Sequence, residues 1–340
     1  MKTALKVPGL QQEILPASDW RQVRRIMGGT LLLFFILGQV FWLFFAYDSD
    51  NPTYRVAEYK WRMIQDLHEP VDVLVFGDSA AGASVVPEVI QQVSGLRTLN
   101  LAVAQGISAV SDLWLLDAYL KRFGAPKWVV WCREDSTWRI QVPETKYLMQ
   151  FPLTPWEWIT LDFKPPFSLS DWGHLFLMLA FPVMRPDVRI QHRLVLDASP
   201  RTQFAVTQSG GVVIWGVDRE FKAGLQLQSR DESPELPFML PLNATSLQQV
   251  LLRARERKFR VLIVAPPIYD KFVHGDRLDR IRKLRLVFSQ LARQEPLVTF
   301  DETLYRYNKS QMRDMDHVPY TTALDYSRRL GKVLVAHREK

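Results

Sequence analysis

The chain has 340 residues, of which 47% are hydrophobic and 23% charged, the balance of an ordinary folded protein rather than a disordered one. Its single cysteine, Cys132, excludes an internal disulfide and a cysteine-based zinc site. The formal net charge is +7, but the basic residues are mixed with acidic ones, as in residues 251–260 and 276–293, and we find no nucleic-acid-binding motif.

Residues 27–46 form the one long apolar run without a charge. A helix rises about 1.5 Å per residue, so a run of this length spans a hydrocarbon core of about 30 Å. Arg21, Arg24 and Arg25 precede the run, and the positive-inside rule therefore places residues 1–26 in the cytoplasm. We predict a transmembrane helix over residues 27–46, with everything after it outside the cytoplasm.

A cleaved signal peptide is the alternative for this segment. It would need a shorter apolar core nearer the start of the chain and a cleavage site of small residues. The apolar run begins late, and the sequence Phe-Phe-Ala-Tyr at residues 44–47 is a poor cleavage site. The pattern therefore favours an uncleaved anchor.

Beyond the apolar run, residues 47–70 predict a juxtamembrane helix or stalk, and residues 71–340 predict one domain in which strands alternate with helices. Short runs rich in β-branched residues predict the strands, and apolar residues at helical spacing predict the helices. The strands are expected at 71–76, 96–103, 128–131, 260–265 and 297–300, and the helices at 87–93, 108–123, 276–293 and 321–335. This order predicts an α/β fold, a three-layer α/β/α sandwich with a parallel five-stranded sheet.

Residues 140–245 interrupt the alternation. They are rich in Trp, Phe and Pro at first and turn β-like at residues 202–217. We expect an insertion packed over or beside the edge of the sheet where ligands bind, beyond the carboxyl ends of the strands. Aromatic rings stack on sugars, but most tryptophans belong to cores. The tryptophans singled out as candidates for substrate binding are Trp138, Trp156 and Trp172, with Trp158 as a further one to test.

Two short motifs carry chemistry. Gly77-Asp78-Ser79 follows the first strand, where a sharp turn before a helix lifts a serine hydroxyl above the sheet edge. Serine is a weak nucleophile without a base, and the loop from Asp314 to His317 offers a histidine with an acid three residues before it. The alternatives are a structural turn serine and an ordinary surface histidine. Asp316 competes with Asp314 for the acid's role, and Asp78 is expected to brace the turn.

Residues 73–90, 96–116, 126–131 and 314–330 together resemble the bacterial SGNH/GDSL superfamily, which has a flavodoxin-like sandwich. The nearest branch comprises membrane-anchored proteins of cell-envelope polysaccharide acylation, similar to the alginate O-acetylation proteins and the D-alanyl transfer protein of teichoic acids. The resemblance implies that Ser79 is the nucleophile, His317 the base and Asp314 its orienting acid. It also implies that the backbone N–H groups of Ser79 and Gly106 form the oxyanion hole.

One position departs from the family pattern. Many members carry an asparagine in the loop after the third strand, where it completes the oxyanion hole, whereas this chain has Glu134. A carboxylate donates no hydrogen bond unless it is protonated. Arg133 is the tentative substitute donor, and a site with two donors or a weakened site are the other possibilities.

Three functions remain open from the sequence. The first is an O-acyltransferase of the bacterial inner membrane, with a periplasmic domain that passes an acyl group, most simply acetyl, to an exported polysaccharide. It implies a membrane-bound O-acyltransferase partner and no nucleic acid. The second is an esterase or deacetylase with the same triad, and the third a non-catalytic scaffold or glycan-binding subunit. We expect no cofactor and no metal, because the other histidines lack metal-ligand spacing.

Overall fold

The computed structural model describes residues 17–45, 52–103, 109–139, 153, 155–164, 168–180, 203–206, 209–210, 212–215 and 239–338. The helices in these ranges are α1 (Ala17–Phe45), α2 (Pro52–Asp66), α3 (Ser79–Ser84), α4 (Pro87–Ser94), α5 (Ala109–Phe123), α6 (Pro155–Thr160), α7 (Leu169–Ala180), α8 (Pro241–Arg257), α9 (Gly275–Gln294) and α10 (Tyr320–Ala336). The strands are β1 (Val73–Gly77), β2 (Thr98–Asn100), β3 (Trp128–Cys132), β4 (Gln203–Val206), β5 (Val212–Trp215), β6 (Arg260–Val264), β7 (Ile268–Tyr269), β8 (Val298–Phe300) and β9 (Arg306–Tyr307).

Five strands form one parallel sheet in the order β2-β1-β3-β6-β8. Val73 pairs with Thr98 on one side and with Trp128 on the other, so β1 lies inside the sheet. Successive side chains along a strand point to opposite faces. Leu74 and Phe76 join the core that α5, α8 and α9 cover, whereas Val73 and Val75 join the core that α4 and α10 cover. The predicted α/β fold, with a parallel five-stranded sheet and helices on both faces, is confirmed.

The predicted strands and helices of the sheet region are observed, but β2 is shorter than predicted, and α8, which begins within the predicted insertion, was not predicted. The pattern predicts a strand over residues 96–103, but the ladder covers only Thr98–Asn100. The chain nevertheless continues beside β1, because the N–H groups of Leu101 and Val103 donate to the carbonyls of Val75 and Gly77 at 2.7 and 3.1 Å. The apolar run thus extends past the strand into the segment that approaches the candidate site.

Part of the insertion covers the free edge of β2. Strands β4 and β5 form an antiparallel hairpin, in agreement with the β-like pattern at residues 202–217. In the hairpin loop, the carbonyl of Ser209 accepts from Asn100 N at 2.8 Å. Lys60 of α2 donates its buried ammonium to the carbonyls of Asn100, at 2.6 Å, and Gly210. An exposed edge strand invites pairing with other chains, and this contact protects it.

Helix α1 begins before the predicted apolar span and ends at Phe45. Its residues from Met27 to Leu37 are exposed. Judged over the described ranges, no helix combines the length and the apolar character that crossing a membrane requires. The membrane span at residues 27–46 stays a prediction.

Candidate active site

The turn after β1 places Ser79 at the carboxyl edge of the sheet. Strand β1 ends at Gly77, Asp78 caps α3, and Ser79 is the first residue of that helix, partly exposed. A Cβ atom on Gly77 would lie 1.8 Å from the carbonyl oxygen of Cys132, and its φ is +154°. Only glycine allows the two central strands to approach this closely just before the serine.

Asp78 fastens this turn to the loop after β3. One carboxylate oxygen accepts from the N–H groups of Ala80 and Ala81 at 3.0 and 3.3 Å. The other accepts from the N–H of Glu134 at 2.8 Å and the hydroxyl of Thr137 at 3.0 Å. Burial raises the pKa of Asp78, against the charge of Arg133 and these hydrogen bonds. Because both carboxylate oxygens are engaged in backbone and hydroxyl contacts, Asp78 acts as a brace.

Asn100 holds the far end of α3. Its side-chain amide donates to the carbonyls of Val85 and Ala81 at 2.9 and 3.3 Å, and its Oδ1 accepts from Ala102 N at 3.0 Å. The asparagine thereby joins β2 to the serine helix. Gly106, the predicted second oxyanion donor, lies outside the described residues.

The loop from Asp314 to His317 holds the imidazole between two acids. His317 Nδ1 lies 2.9 and 3.0 Å from the two carboxylate oxygens of Asp314 and 3.2 Å from an oxygen of Asp316. Asp314 also accepts the backbone N–H of His317 at 2.7 Å, which fixes the loop that carries the ring. His317 Nε2 is buried and has no hydrogen-bond partner among the described residues, Ser79 included. With Nδ1 committed to the acids, Nε2 is the nitrogen left to accept a proton.

Helix α10 brings this loop to the serine turn. It follows His317 and packs on α3 and α4, which follow Ser79. Ser327 of α10 accepts from Val86 N at 2.8 Å and donates to the carbonyl of Ser84 at 3.1 Å. The charge of Asp316 raises the pKa values of Asp78 and Glu134, so the loop lies within electrostatic reach of both strand ends. The fold thus assembles the serine turn and the histidine loop at one edge of the sheet.

The two acids control the protonation of His317. Burial alone would lower the pKa of the imidazole, but the charge of Asp316 and the hydrogen bonds of both acids outweigh burial and raise the pKa well above its ordinary value of 6.5. In return, the hydrogen bonds and charge of His317 lower the pKa of Asp314 against the effect of its own burial. The two acids therefore favour the imidazolium in the resting pair, and a rise in pH favours the neutral base.

Glu134 is a buried acid in an acidic neighbourhood. Its carboxylate contacts Arg277 of α9 and accepts from Ser136 Oγ at 3.1 Å. Burial and the charges of Asp316, Asp135 and Asp78 raise its pKa to about 8, although Arg277 opposes them. Arg277 also pairs with Asp135 at 2.9 Å, so it keeps a counterion when Glu134 is protonated. The raised pKa favours the neutral acid, which has an O–H donor, more than in an ordinary glutamate.

Arg133 is committed to a buried ion pair that the sequence did not suggest. Its Nε and Nη2 lie 2.8 and 2.7 Å from one oxygen of Asp112 on α5, and that oxygen also accepts from Trp131 Nε1 at 2.6 Å. Burial raises the pKa of Asp112 to about 6. Of the guanidinium, Nη1 alone has neither a hydrogen bond nor an ion pair among the described residues. The tentative role of Arg133 as an oxyanion donor is thus restricted to that one nitrogen.

The structure corrects the prediction for Trp138. This side chain is buried, with ring centroids 5.3 Å from Trp131 and 5.3 Å from Phe288, so it packs in the core rather than offering a face to a sugar. Trp158 is likewise a core residue, and Trp172 is half-buried against the same cluster. The side chain of Trp156 lies outside the described residues.

A small cavity lies beyond Glu134. Its volume is about 40 Å³, and Arg133, Glu134 and Asp135 stand at its polar end. The remaining wall is mainly apolar and includes Trp131, Trp138, Ile263, Leu284, Phe288 and Phe300. A cavity of this size can hold a few water-sized groups.

Asp314, Asp316 and His317 form the group of described residues that could ligate a metal, with their ligand atoms within 4.8 Å of one another. The nitrogen that faces the two acids is Nδ1, and it is already hydrogen-bonded to Asp314. The two carboxylates therefore bind the imidazole itself, and nothing in the geometry of the three side chains requires an ion.

Comparison with known proteins adds little to this geometry. No family model matches the chain. No curated protein matches it either. A solved structure described provisionally as a platelet activating factor from Streptococcus pneumoniae is similar over 88% of this chain and 98% of its own, with 12% sequence identity and a TM-score of 0.40. A similarity at that level establishes neither a family nor an activity.

Proposed function

We propose that this protein is a membrane-anchored serine O-acyltransferase that moves a short acyl group, most simply acetyl, onto an envelope or exported polysaccharide. The observation that carries the proposal is the state of His317. Its Nδ1 is bound by Asp314, and its Nε2 is buried without a partner in a loop that reaches the turn carrying Ser79. A serine nucleophile needs a base oriented by an acid, and the pair of His317 and Asp314 supplies that part of the arrangement, while a hydrogen bond from Ser79 Oγ to Nε2 is proposed to form when substrate binds.

The reaction has two half-steps. In the first, Ser79 Oγ gives its proton to His317 Nε2 and bonds to the acyl carbon, and the leaving group departs with that proton. In the second, a sugar hydroxyl gives its proton to Nε2 and attacks the acyl carbon. Ser79 Oγ then leaves and takes the proton back. Asp314 stabilises the imidazolium that forms in each half-step.

The acyl group itself is small in this proposal. The cavity beyond Glu134 is apolar over most of its wall, and Glu134, which lines it, donates its backbone N–H to Asp78, the residue before Ser79. Its volume suits an acetyl group better than a long chain.

We propose transfer of the acyl group to a sugar hydroxyl rather than hydrolysis by water. The nucleophile alone does not distinguish the two, because the difference lies in water exclusion and acceptor binding. The predicted anchor at residues 27–46 and the sequence resemblance favour transfer, since a domain held outside the cytoplasm would receive its acyl group through a membrane-bound O-acyltransferase partner. An esterase or deacetylase with the same triad is the competing function.

The test compares the wild-type chain with Ser79→Ala in cells that lack the native gene, by measuring ester-linked acetyl on the exported polysaccharide. We expect Ser79→Ala to abolish the acetyl ester while the protein remains in the envelope fraction. Ser136→Ala is the matched control, because it removes a partly buried hydroxyl nearby without touching the proposed triad. Unchanged acetylation in Ser79→Ala would overturn the proposal, and acetate release that is independent of any sugar acceptor would favour the esterase.

A further inference from the structure

Helix α7, in the insertion, is apolar on two sides. On one side, Leu175 is buried in the core and Trp172 packs against it. On another side, Leu169, Phe176 and Leu177 are exposed, with 90%, 69% and 40% of their surface accessible. A helix that is apolar both on the face packed against the core and on a second face is expected to contact a second apolar surface.

The exposed apolar residues of α7 lie in a stripe on one side of the helix, bordered by the exposed Ser170 and His174. Positions 169, 173, 176 and 177 are separated by intervals of four, three and one, which place them on one side of a helix. The helix has one charged residue, Asp171, whose carboxylate accepts from the backbone N–H and hydroxyl of Ser168 at 2.9 and 2.6 Å. That charge sits in the first turn, so the stripe beyond it is uncharged.

Helix α7 lies against α1. The neighbouring helix exposes its own large apolar side chains, among them Leu31, Leu33 and Phe34, over the segment that the sequence predicts to enter a membrane. Two helices that contact each other therefore both expose large apolar side chains. Contiguous apolar surface of this kind marks a protein or membrane contact.

We propose that α7 is a lipid-contacting helix, whose stripe of Leu169, Phe176 and Leu177 lies in a phospholipid bilayer beside α1. A bilayer suits this surface better than a partner protein, because the stripe carries neither a charge nor a hydrogen-bonding side chain that would select one partner. It also continues an apolar surface that already belongs to the anchor. An apolar helix face that lies in the plane of a membrane is buried at the boundary between headgroups and acyl chains.

A second membrane contact has a consequence for the site. Contact through α7 would give the domain an attachment to the membrane in addition to α1. Contact through α7 holds the insertion at the lipid surface, and the insertion is in turn joined to β2 through Ser209 and Asn100. The membrane then fixes the orientation of the domain. A fixed orientation is what an acyl donor delivered from the bilayer requires.

The experiment uses the full chain in vesicles of phosphatidylcholine and phosphatidylglycerol. An environment-sensitive fluorophore is attached at Phe176→Cys, and a matched probe at Leu286→Cys on α9, whose leucine is 55% exposed. Cys132 is buried and should react poorly with the fluorophore, and labelling of the unsubstituted chain gives the background from this residue. We expect brominated lipid to reduce the fluorescence at position 176 at least twofold and leave position 286 unchanged, with aqueous iodide giving the reverse.

Equal quenching by iodide at both positions would overturn the lipid contact while leaving the anchor intact, provided the chain floats with the vesicles. A chain that does not float would overturn the anchor and the lipid contact together. Protection of position 176 from both quenchers would mean that a second copy covers the stripe, which also contradicts the proposal.

Discussion

His317 Nδ1 lies 2.9 and 3.0 Å from the two oxygens of Asp314, and this bidentate contact leaves Nε2 as the nitrogen that can take a proton. Asp316 adds a second carboxylate at 3.2 Å. The imidazole is thus held by two negative charges rather than one. The pH dependence of the protein follows from that excess of charge.

Asp316→Asn should move the activity to lower pH. Asp316 raises the pKa of His317, and the neutral imidazole is the active base, so activity in the wild-type chain should rise with pH above neutrality. Removing one of two nearby carboxylates should lower the midpoint of that rise by about 1 pH unit. The measurement is the pH profile of p-nitrophenyl acetate cleavage by the purified chain. Asp314→Asn is the comparison, and we expect it to reduce the rate about 100-fold or more at every pH. A midpoint that is the same in Asp316→Asn and wild type would contradict this assignment.

Glu134→Gln should make stability less dependent on pH. The pKa of Glu134 is about 8 in the folded chain against 4.5 for an ordinary glutamate, so the folded state holds a proton that the unfolded state has lost. A raised pKa contributes stability that is fully present below about pH 4.5 and is lost as the pH rises through 8. Urea unfolding at pH 6 and pH 9 should therefore show a smaller difference in Glu134→Gln than in wild type. The half-exposed Glu58→Gln is the control and should keep the wild-type difference. An unaltered difference in Glu134→Gln would mean that Glu134 is ionised throughout.

Arg133→Met should destabilise the fold because it leaves Asp112 buried without its counterion. Loss of one partner of a buried pair costs about 3–5 kcal/mol, whereas replacing both by apolar residues is often nearly neutral. The double variant Asp112→Leu with Arg133→Met should thus recover most of the free energy of unfolding in urea. It should also recover activity if Arg133 is structural. A double variant that is stable but about 100-fold slower would instead assign Arg133 Nη1 to the oxyanion hole.

Gly77→Ala should disrupt the junction of β1 and β3. The added methyl group would lie 1.8 Å from the Cys132 carbonyl, a backbone atom that cannot rotate away. We expect a loss of about 3 kcal/mol or more in the free energy of unfolding. Gly95→Ala, where nothing lies within 4 Å of the added atom but φ is +69°, should lose only about 1 kcal/mol. Equal losses in the two variants would argue against a specific requirement at Gly77.

The sheet was predictable because its signals are local. Each of the five parallel strands is a short apolar run, and the motifs of Ser79 and His317 are each contained within a few residues. The bidentate contact between Asp314 and His317 follows from their spacing of three residues in one loop. That spacing favoured Asp314 over Asp316, but it did not indicate that both acids face the ring.

The long-range pairs could not be read from the sequence. Arg133 of the loop after β3 pairs with Asp112 of α5, and Glu134 pairs with Arg277, which is 143 positions further along the chain. Such partners are chosen by how α5 and α9 pack on the sheet, and neither helix shows in its own pattern which charge it will bury. Trp138 was misjudged for a related reason, since a tryptophan near a strand end is equally suited to a ligand platform and to the space beneath α9.

The central claim is that Ser79 is a nucleophile activated by His317. Its most direct test is mass spectrometry of the purified full chain after reaction with a fluorophosphonate, which bonds covalently to activated serines. We predict a single adduct on the peptide that contains Ser79, absent in Ser79→Ala and formed at least 100-fold more slowly in His317→Ala. A folded wild-type chain that forms no adduct, or an adduct whose rate does not depend on His317, would contradict the claim.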